Sequence, residues 1–250
     1  MIWLTIDIEK ITDMNFNVLW KKEPVLDYEK VVDDFLSIKK DHHATAFILG
    51  TFAKKYPQIV KKLYKNGVEI SCHGMYHNLV YKEGFKEWSK RVTEAKDILE
   101  NLISERVLGY RSPSWSMPFE KRYYEELARV GFEYSSSYFP MKNYMYGNSI
   151  DRKKSFKIYT KFGTIEERPI LKYTIPFSGG VYLRVLPLSV LKMLFKKSKD
   201  SILYIHPYEL LEDNLLKRFK EYADLNLDYF LAFYSFGSTQ KKIKTVLRYE

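Results

Sequence analysis

The sequence predicts an α/β protein, a distorted (β/α) barrel of about seven parallel strands in one domain. Three observations point there. Short β-rich runs alternate with amphipathic stretches along most of the chain, the order that a parallel sheet with outer helices requires. Chemistry-bearing residues fall just after those runs, on the edge where parallel β/α folds gather their sites. No internal repeat, low-complexity tract or linker divides the 250 residues.

The first strand is Ile2 to Asp7, followed by a helix over about Tyr28 to Lys40 and a second strand from Ala44 to Leu49. A helix from about Phe52 to Asn66 is expected to stop at Gly67, because glycine accepts the left-handed conformation that ends many helices. Strand three is Val68 to Cys72. Phe85 to about Ile103 is helical, with Trp88, Val92, Ala95, Leu99 and Leu102 on one face. Strand four (Val107 to Tyr110), a helix (about Glu120 to Val130) and strand five (Phe132 to Tyr134) follow. The stretch 141–187 is rich in Tyr, Lys and Gly and reads as an insertion of loops and short strands. Beyond it come a helix (Leu188 to Lys197), a strand (Ser201 to Ile205), a helix (about Leu211 to Leu225), a strand (Tyr229 to Phe233) and a closing helix (about Thr239 to Leu247).

With 46% hydrophobic residues, including 21 Tyr, 16 Phe and 4 Trp, the chain can bury a sizeable core. Its apolar runs are too short to span a bilayer, and no leader pattern precedes the first strand. The single cysteine, Cys72, excludes an intrachain disulfide and suits a reducing compartment, so the expected location is cytoplasmic. The net charge of +10 comes from 41 Lys+Arg against 31 Asp+Glu. Lysine pairs such as Lys54-Lys55 and Lys196-Lys197 are scattered over helix faces, which argues against a nucleic-acid footprint. A basic surface leaves room for peripheral contact with an anionic membrane. Oligomeric state is not encoded in any visible pattern.

The strand ends carry the chemistry. Strand one ends in Asp7-Ile8-Glu9, strand three in His73-Gly74-Met75-Tyr76-His77, strand four in Arg111-Ser112-Pro113-Ser114-Trp115, and the late strand in His206-Pro207-Tyr208-Glu209. Residues two apart on a strand share a side, so Asp7 and Glu9 can face one site. His73 and His77 would share a face if a helical turn began there. Alone, that spacing is common; joined to strand-end acids it matches a catalytic zinc arrangement of histidines and a carboxylate. Cys72, next to His73 but facing the other way, reads as a buried structural thiol.

These segments resemble the polysaccharide deacetylase family (carbohydrate esterase family 4, which includes the chitooligosaccharide deacetylases). Its T-x-D, H-x3-H, R-x-P and L-x-H segments occur here in order as Thr5-Ile6-Asp7, His73 to His77, Arg111-Ser112-Pro113 and Tyr204-Ile205-His206. Phe47 to Gly50, Gly67 to Ser71, Ser178 to Arg184 and Tyr234 to Gly237 look like an exopolysaccharide-associated subgroup, so the resemblance covers nearly the whole chain. It implies a metal-dependent hydrolase that removes N-acetyl groups from amino sugars of a glycan. In that reading Asp7 is the general base, Glu9, His73 and His77 bind a divalent metal (zinc foremost), and His206 is the general acid. The opposite assignment of Asp7 and Glu9 stays open, because Ile8 stands where many members have a second aspartate. Arg111 would orient Asp7 through an ion pair.

Pro113, Trp115, Tyr138, Tyr182 and Arg184 are the candidate substrate-binding residues. Aromatic faces match the apolar faces of sugar rings, though each aromatic could equally be core. Gly179-Gly180 could line a groove or only make a turn. The subgroup's usual Tyr-Asp-Ser-Ser reads Tyr134-Ser135-Ser136-Ser137 here, which removes an acid whose place Glu209 could take. Two other functions stay open: a metal-independent hydrolase of a small cyclic amide, and a non-catalytic glycan-binding relative.

Overall fold

The computed structural model describes residues 2–14, 18–141, 147, 154–170, 177–198, 201–211, 221–224, 226–227 and 238–249. The chain forms two compact units, Met1–Ala44 with Tyr173–Glu250, and Thr45–Lys172.

In the first unit, β1 (Ile2–Ile8) pairs in parallel with β8 (Ser201–Ile205), running from Ile2 opposite Ser201 to Ile6 opposite Ile205. Both strands are largely buried on both faces, as covered parallel strands are; Leu4, Ile6, Leu203 and Ile205 are completely buried. Helix α1 (Tyr28–Lys39) starts where the Asp27 carboxylate accepts the Lys30 N–H, and it buries Val31, Val32, Phe35 and Ile38. It packs against the single turn Pro207–Leu210 that follows β8. The parallel register matters most: it puts the residues after Ile8 and those after Ile205 at the same end of the strand pair.

In the second unit, β2 (Ala44–Ile48), β3 (Glu69–Cys72), β4 (Gly109–Tyr110), β5 (Tyr134–Ser135) and β7 (Gly163–Glu167) pair in that order, all parallel. A hairpin adds β6 (Phe156–Thr160) antiparallel to β7. Among the described strands, β1 to β5, β7 and β8 thus lie in parallel pairs, the expected number of about seven. The hairpin is the regular part of the stretch anticipated as loops and short strands; helix α6 (Gly180–Val185) is another.

Most elements stand where the sequence puts them. Helix α4 (Phe85–Ile103) has the expected bounds, and its buried stripe is Trp88, Val92, Ala95, Lys96, Leu99 and Ile103. The expected helix from Phe52 to Asn66 is instead two, α2 (Gly50–Lys55) and α3 (Pro57–Lys65). Pro57 has no N–H to continue the first helix and has the fixed φ that starts the second. Gly67 does follow α3 in the left-handed region, at φ +72°. Helix α5 (Lys121–Val130) joins β4 to β5, α7 (Leu188–Lys197) precedes β8, and α8 (Thr239–Val246) lies near the C-terminus. The strand expected at Tyr229 to Phe233, and most of the helix expected at Leu211 to Leu225, lie outside the described residues. Among the described residues no helix is long and apolar enough to cross a membrane.

Candidate functional site

The strand end of the first unit gathers charge in a place that water barely reaches. Asp7 and Glu9 are each 2% exposed, and Glu209 is 1% exposed. The His206 side chain sits between two of these acids: Nε2 is 3.9 Å from Glu9 Oε1, and Nδ1 is 3.3 Å from Glu209 Oε2. The same Glu209 oxygen accepts the His206 backbone N–H at 3.0 Å, which pins the carboxylate to the turn. Tyr208 stacks on the His206 ring, with centroids 4.9 Å apart and planes within 6°, and its hydroxyl donates to Glu9 Oε1 at 3.3 Å. Arg184, buried in α6, brings Nε to 3.8 Å from the other Glu209 oxygen.

Burial by itself would lower the pKa of His206. The hydrogen bond to Glu209 and the charges of Glu9, Glu209 and Asp7 outweigh burial and raise it to about 9. The imidazole is therefore held as a proton carrier at neutral pH. Burial, with Glu9 next, also pushes the Tyr208 phenol well above its ordinary range, so its hydroxyl stays a donor.

In the second unit, His73 follows β3 and is 1% exposed. Its Nδ1 is 2.8 Å from the Arg111 carbonyl. A carbonyl only accepts, so Nδ1 carries the proton and Nε2 has the lone pair, the tautomer a metal-binding imidazole needs. The His77 ring lies 5.4 Å from that of His73, at 53°. The expected helical turn is not what brings them together. Residues 73–77 form a loop with bends, and Gly74, at φ +91°, makes the turn. The Gly74 N–H donates to Cys72 Sγ at 3.3 Å. Cys72 is buried, with burial pushing its thiol up to about 12, as expected of a structural residue.

Arg111 is fully buried, with its guanidinium 4.0 Å over the Phe47 ring and Nη2 donating to Ser136 Oγ at 3.0 Å. Pro113 packs beside Gly74. Ser114 and Trp115 both have φ of +50°, a costly backbone for residues with side chains. The Ser112 hydroxyl, accepting the Met117 N–H, and the Ser116 hydroxyl, donating to the Pro113 carbonyl, brace that strained turn.

Of the aromatic candidates, Trp115 is buried against Phe139 and Tyr138 against Phe119 and Phe156, while Tyr182 is half-buried. Gly179 and Gly180 are explained by close approach: a Cβ on Gly179 would lie 2.0 Å from the Tyr204 carbonyl oxygen. Two buried acids emerge with roles that spacing alone did not reveal. Glu209 was legible only as a stand-in for a missing acid, and Glu167, buried at the end of β7, had no sequence signal at all.

The polysaccharide deacetylase family profile matches residues 4–135, more than half of the chain. The chain belongs to the polysaccharide deacetylase family. Residues 136–249 match a domain of unknown function, DUF3473, which marks the exopolysaccharide-associated subgroup of deacetylases. The peptidoglycan-N-acetylmuramic acid deacetylase PdaC of Bacillus subtilis is 33% identical over 78 residues, 31% of this chain and 17% of its own. A peptidoglycan-N-acetylglucosamine deacetylase of Bacillus cereus is 28% identical over 121 residues, 45% of this chain and 44% of its own. The match thus spans less than half the length of either relative. A family 4 carbohydrate esterase from Streptomyces lividans, solved with acetate, superimposes with a TM-score of 0.54 at 9% identity, covering 99% of this chain and 87% of that one. The fold is therefore the distorted β/α barrel of these deacetylases.

Proposed function

We propose that this polysaccharide deacetylase family member is a metal-dependent hydrolase that removes N-acetyl groups from amino sugars of a poly- or oligosaccharide. The observation that carries the proposal is the His206 site, an imidazole kept protonated at neutral pH by buried carboxylates. Hydrolysis of an amide stalls unless the departing nitrogen receives a proton, and a positioned general acid is worth about 10²- to 10⁴-fold.

Glu9, His73 and His77 would hold the ion, as the family resemblance implies. The donor set fits. Two imidazoles and a carboxylate suit zinc, and His73 has its Nδ1 proton committed to the Arg111 carbonyl. When bound, such an ion supplies Lewis acidity at the acetyl carbonyl and lowers the pKa of water.

The chain's own residues supply the rest. Asp7 takes the proton from the attacking water. Arg111 would orient Asp7, the role the family resemblance gives it. His206 gives its proton to the amine nitrogen as acetate leaves, and Glu209 and Tyr208 hold its ring in place. Among the candidate sugar-binding residues Pro113, Trp115, Tyr138, Tyr182 and Arg184, Tyr182 is the least buried aromatic and the first choice for stacking. The substrate is an N-acetylated glycan, by analogy with the two peptidoglycan deacetylases of Bacillus to which the chain is similar. The net charge of +10 supports peripheral attraction to anionic lipid; vesicle binding that is absent at low salt would rule it out.

The test is acetate release from a panel of N-acetylated oligosaccharides, with and without chelator. Chelator-sensitive release is expected. Chelator-indifferent turnover of small cyclic amides would assign the metal-free hydrolase instead, and glycan binding without any turnover would assign a binding protein.

A further inference from the structure

The serine run Ser135-Ser136-Ser137 carries no charge, yet a fully buried carboxylate serves it. Glu167 ends β7 directly opposite Ser135 in the parallel register and is 0% exposed. Its Oε1 accepts two backbone N–H groups beyond β5, from Ser137 at 2.8 Å and from Tyr138 at 3.0 Å. The segment held in this way reaches back to the R-S-P turn by two hydroxyls. Ser136 Oγ accepts from Arg111 Nη2 at 3.0 Å and donates to the Arg168 carbonyl at 3.1 Å. Ser137 Oγ accepts the Ser112 N–H at 2.9 Å and is joined to Ser135 Oγ at 3.0 Å.

We infer that Glu167 is a positioning residue for Arg111, acting through the backbone of Ser137 and Tyr138 and the hydroxyls of Ser136 and Ser137. Each step of this path is a direct hydrogen bond, so the placement of the loop bears on the placement of the guanidinium. An apolar side chain of similar size would fill the same space without the cost of burying a carboxyl group, which burial drives above its usual range against the pull of the Ser135 and Tyr124 hydroxyls and the two N–H groups. What an apolar residue could not do is accept two N–H groups at once and so fix the loop. The strain at Ser114 and Trp115 gives that precision a purpose, because the turn carrying Arg111 does not rest in a relaxed conformation. This inference rests on the deacetylase reading, in which Arg111 orients the general base.

Four proteins test it: wild type, Glu167→Ala, Glu167→Gln and Ser136→Ala. Glu167→Gln keeps the acceptor oxygen and should hold kcat within about 3-fold of wild type. Glu167→Ala and Ser136→Ala should each lower kcat at least 10-fold with KM within about 3-fold, and their double variant should be little worse than either alone. The Arg111 Nε–Hε NMR resonance, assigned through Arg111→Lys, should shift in both alanine variants and stay in Glu167→Gln. Unchanged kcat in folded Ser136→Ala, or an unmoved Arg111 resonance, would overturn the inference, as would Glu167→Gln failing as badly as Glu167→Ala. Should Glu167→Ala not fold, Ser136→Ala and Glu167→Gln still decide. Should wild type release no acetate, the deacetylase reading falls while the Arg111 resonance still tests the linkage.

Discussion

Replacing Glu209 by Gln perturbs the candidate site at one charge while leaving its shape nearly intact. The amide oxygen can still accept the His206 N–H now made at 3.0 Å, but His206 and Arg184 lose a buried anion. The rise of the His206 pKa from 6.5 to about 9 corresponds to roughly 3 kcal/mol if all of it reflects folded-state partners. Glu209 is one of three acids responsible, so its share is about 1–2 kcal/mol. Weakening the buried Arg184 pair, 3.8 Å away, adds a cost of the same order. The sign is fixed by linkage. A raised histidine pKa stabilises the fold fully below about 6.5, and the benefit disappears as pH rises through about 9.

The two losses together, about 2–4 kcal/mol, should therefore lower the melting point by roughly 4–16 °C near pH 6, at about 2–4 °C per kcal/mol for a chain of this size. The gap should narrow at pH 10. Scanning calorimetry of metal-free protein at the two pH values, with an NMR titration of the His206 ring, gives both readings. An equal melting difference at both pH values, together with an unmoved His206 titration, would refute the reasoning.

Three further outcomes follow from particular contacts. His77→Ala should lose most of the bound zinc of the wild type after dialysis against a trace of the metal, measured by elemental analysis, while keeping its fold; full metal content would move the site elsewhere. Cys72, whose thiol lies near 12, should react with a thiol reagent at pH 8 at least 10³-fold more slowly than a free cysteine until denaturant is added; rapid native labelling would contradict its burial. Gly109→Ala should destabilise by about 3 kcal/mol or more, because its Cβ would meet the Tyr134 ring at 2.1 Å and Ser71 Oγ at 2.5 Å; a variant with an unchanged urea midpoint would show that Tyr134 gives way freely.

Much of this was legible in the residues themselves. The helix Phe85–Ile103 is a long amphipathic pattern bounded by Gly84 and a left-handed Ser104, so period and stop signals agree on it. The strand ends were readable because a parallel fold brings successive carboxyl ends to one edge, and the strand-end acids and histidines are sparse enough to stand out. Where the reading slipped, the cause is local and physical. Pro57 divides a helix whose apolar spacing runs on unbroken, and Gly74 makes by a loop the pairing of His73 with His77 that the four-residue spacing attributes to a helical turn. Glu167 had no signal because its partners, Ser137 and Tyr138, lie about thirty residues earlier, and no periodicity encodes a carboxylate reaching a neighbouring strand's loop. Glu209 was visible three residues after His206, but its part in raising that histidine is a matter of burial, which spacing does not carry.

The most direct measurement is acetate release from an N-acetylated oligosaccharide by the purified chain, before and after metal removal, with His206→Ala alongside. Release that stops with chelator, returns with zinc, and falls at least 10²-fold in His206→Ala is the predicted result. Release indifferent to both metal and His206, or none from wild type loaded with zinc across the whole panel, would contradict it.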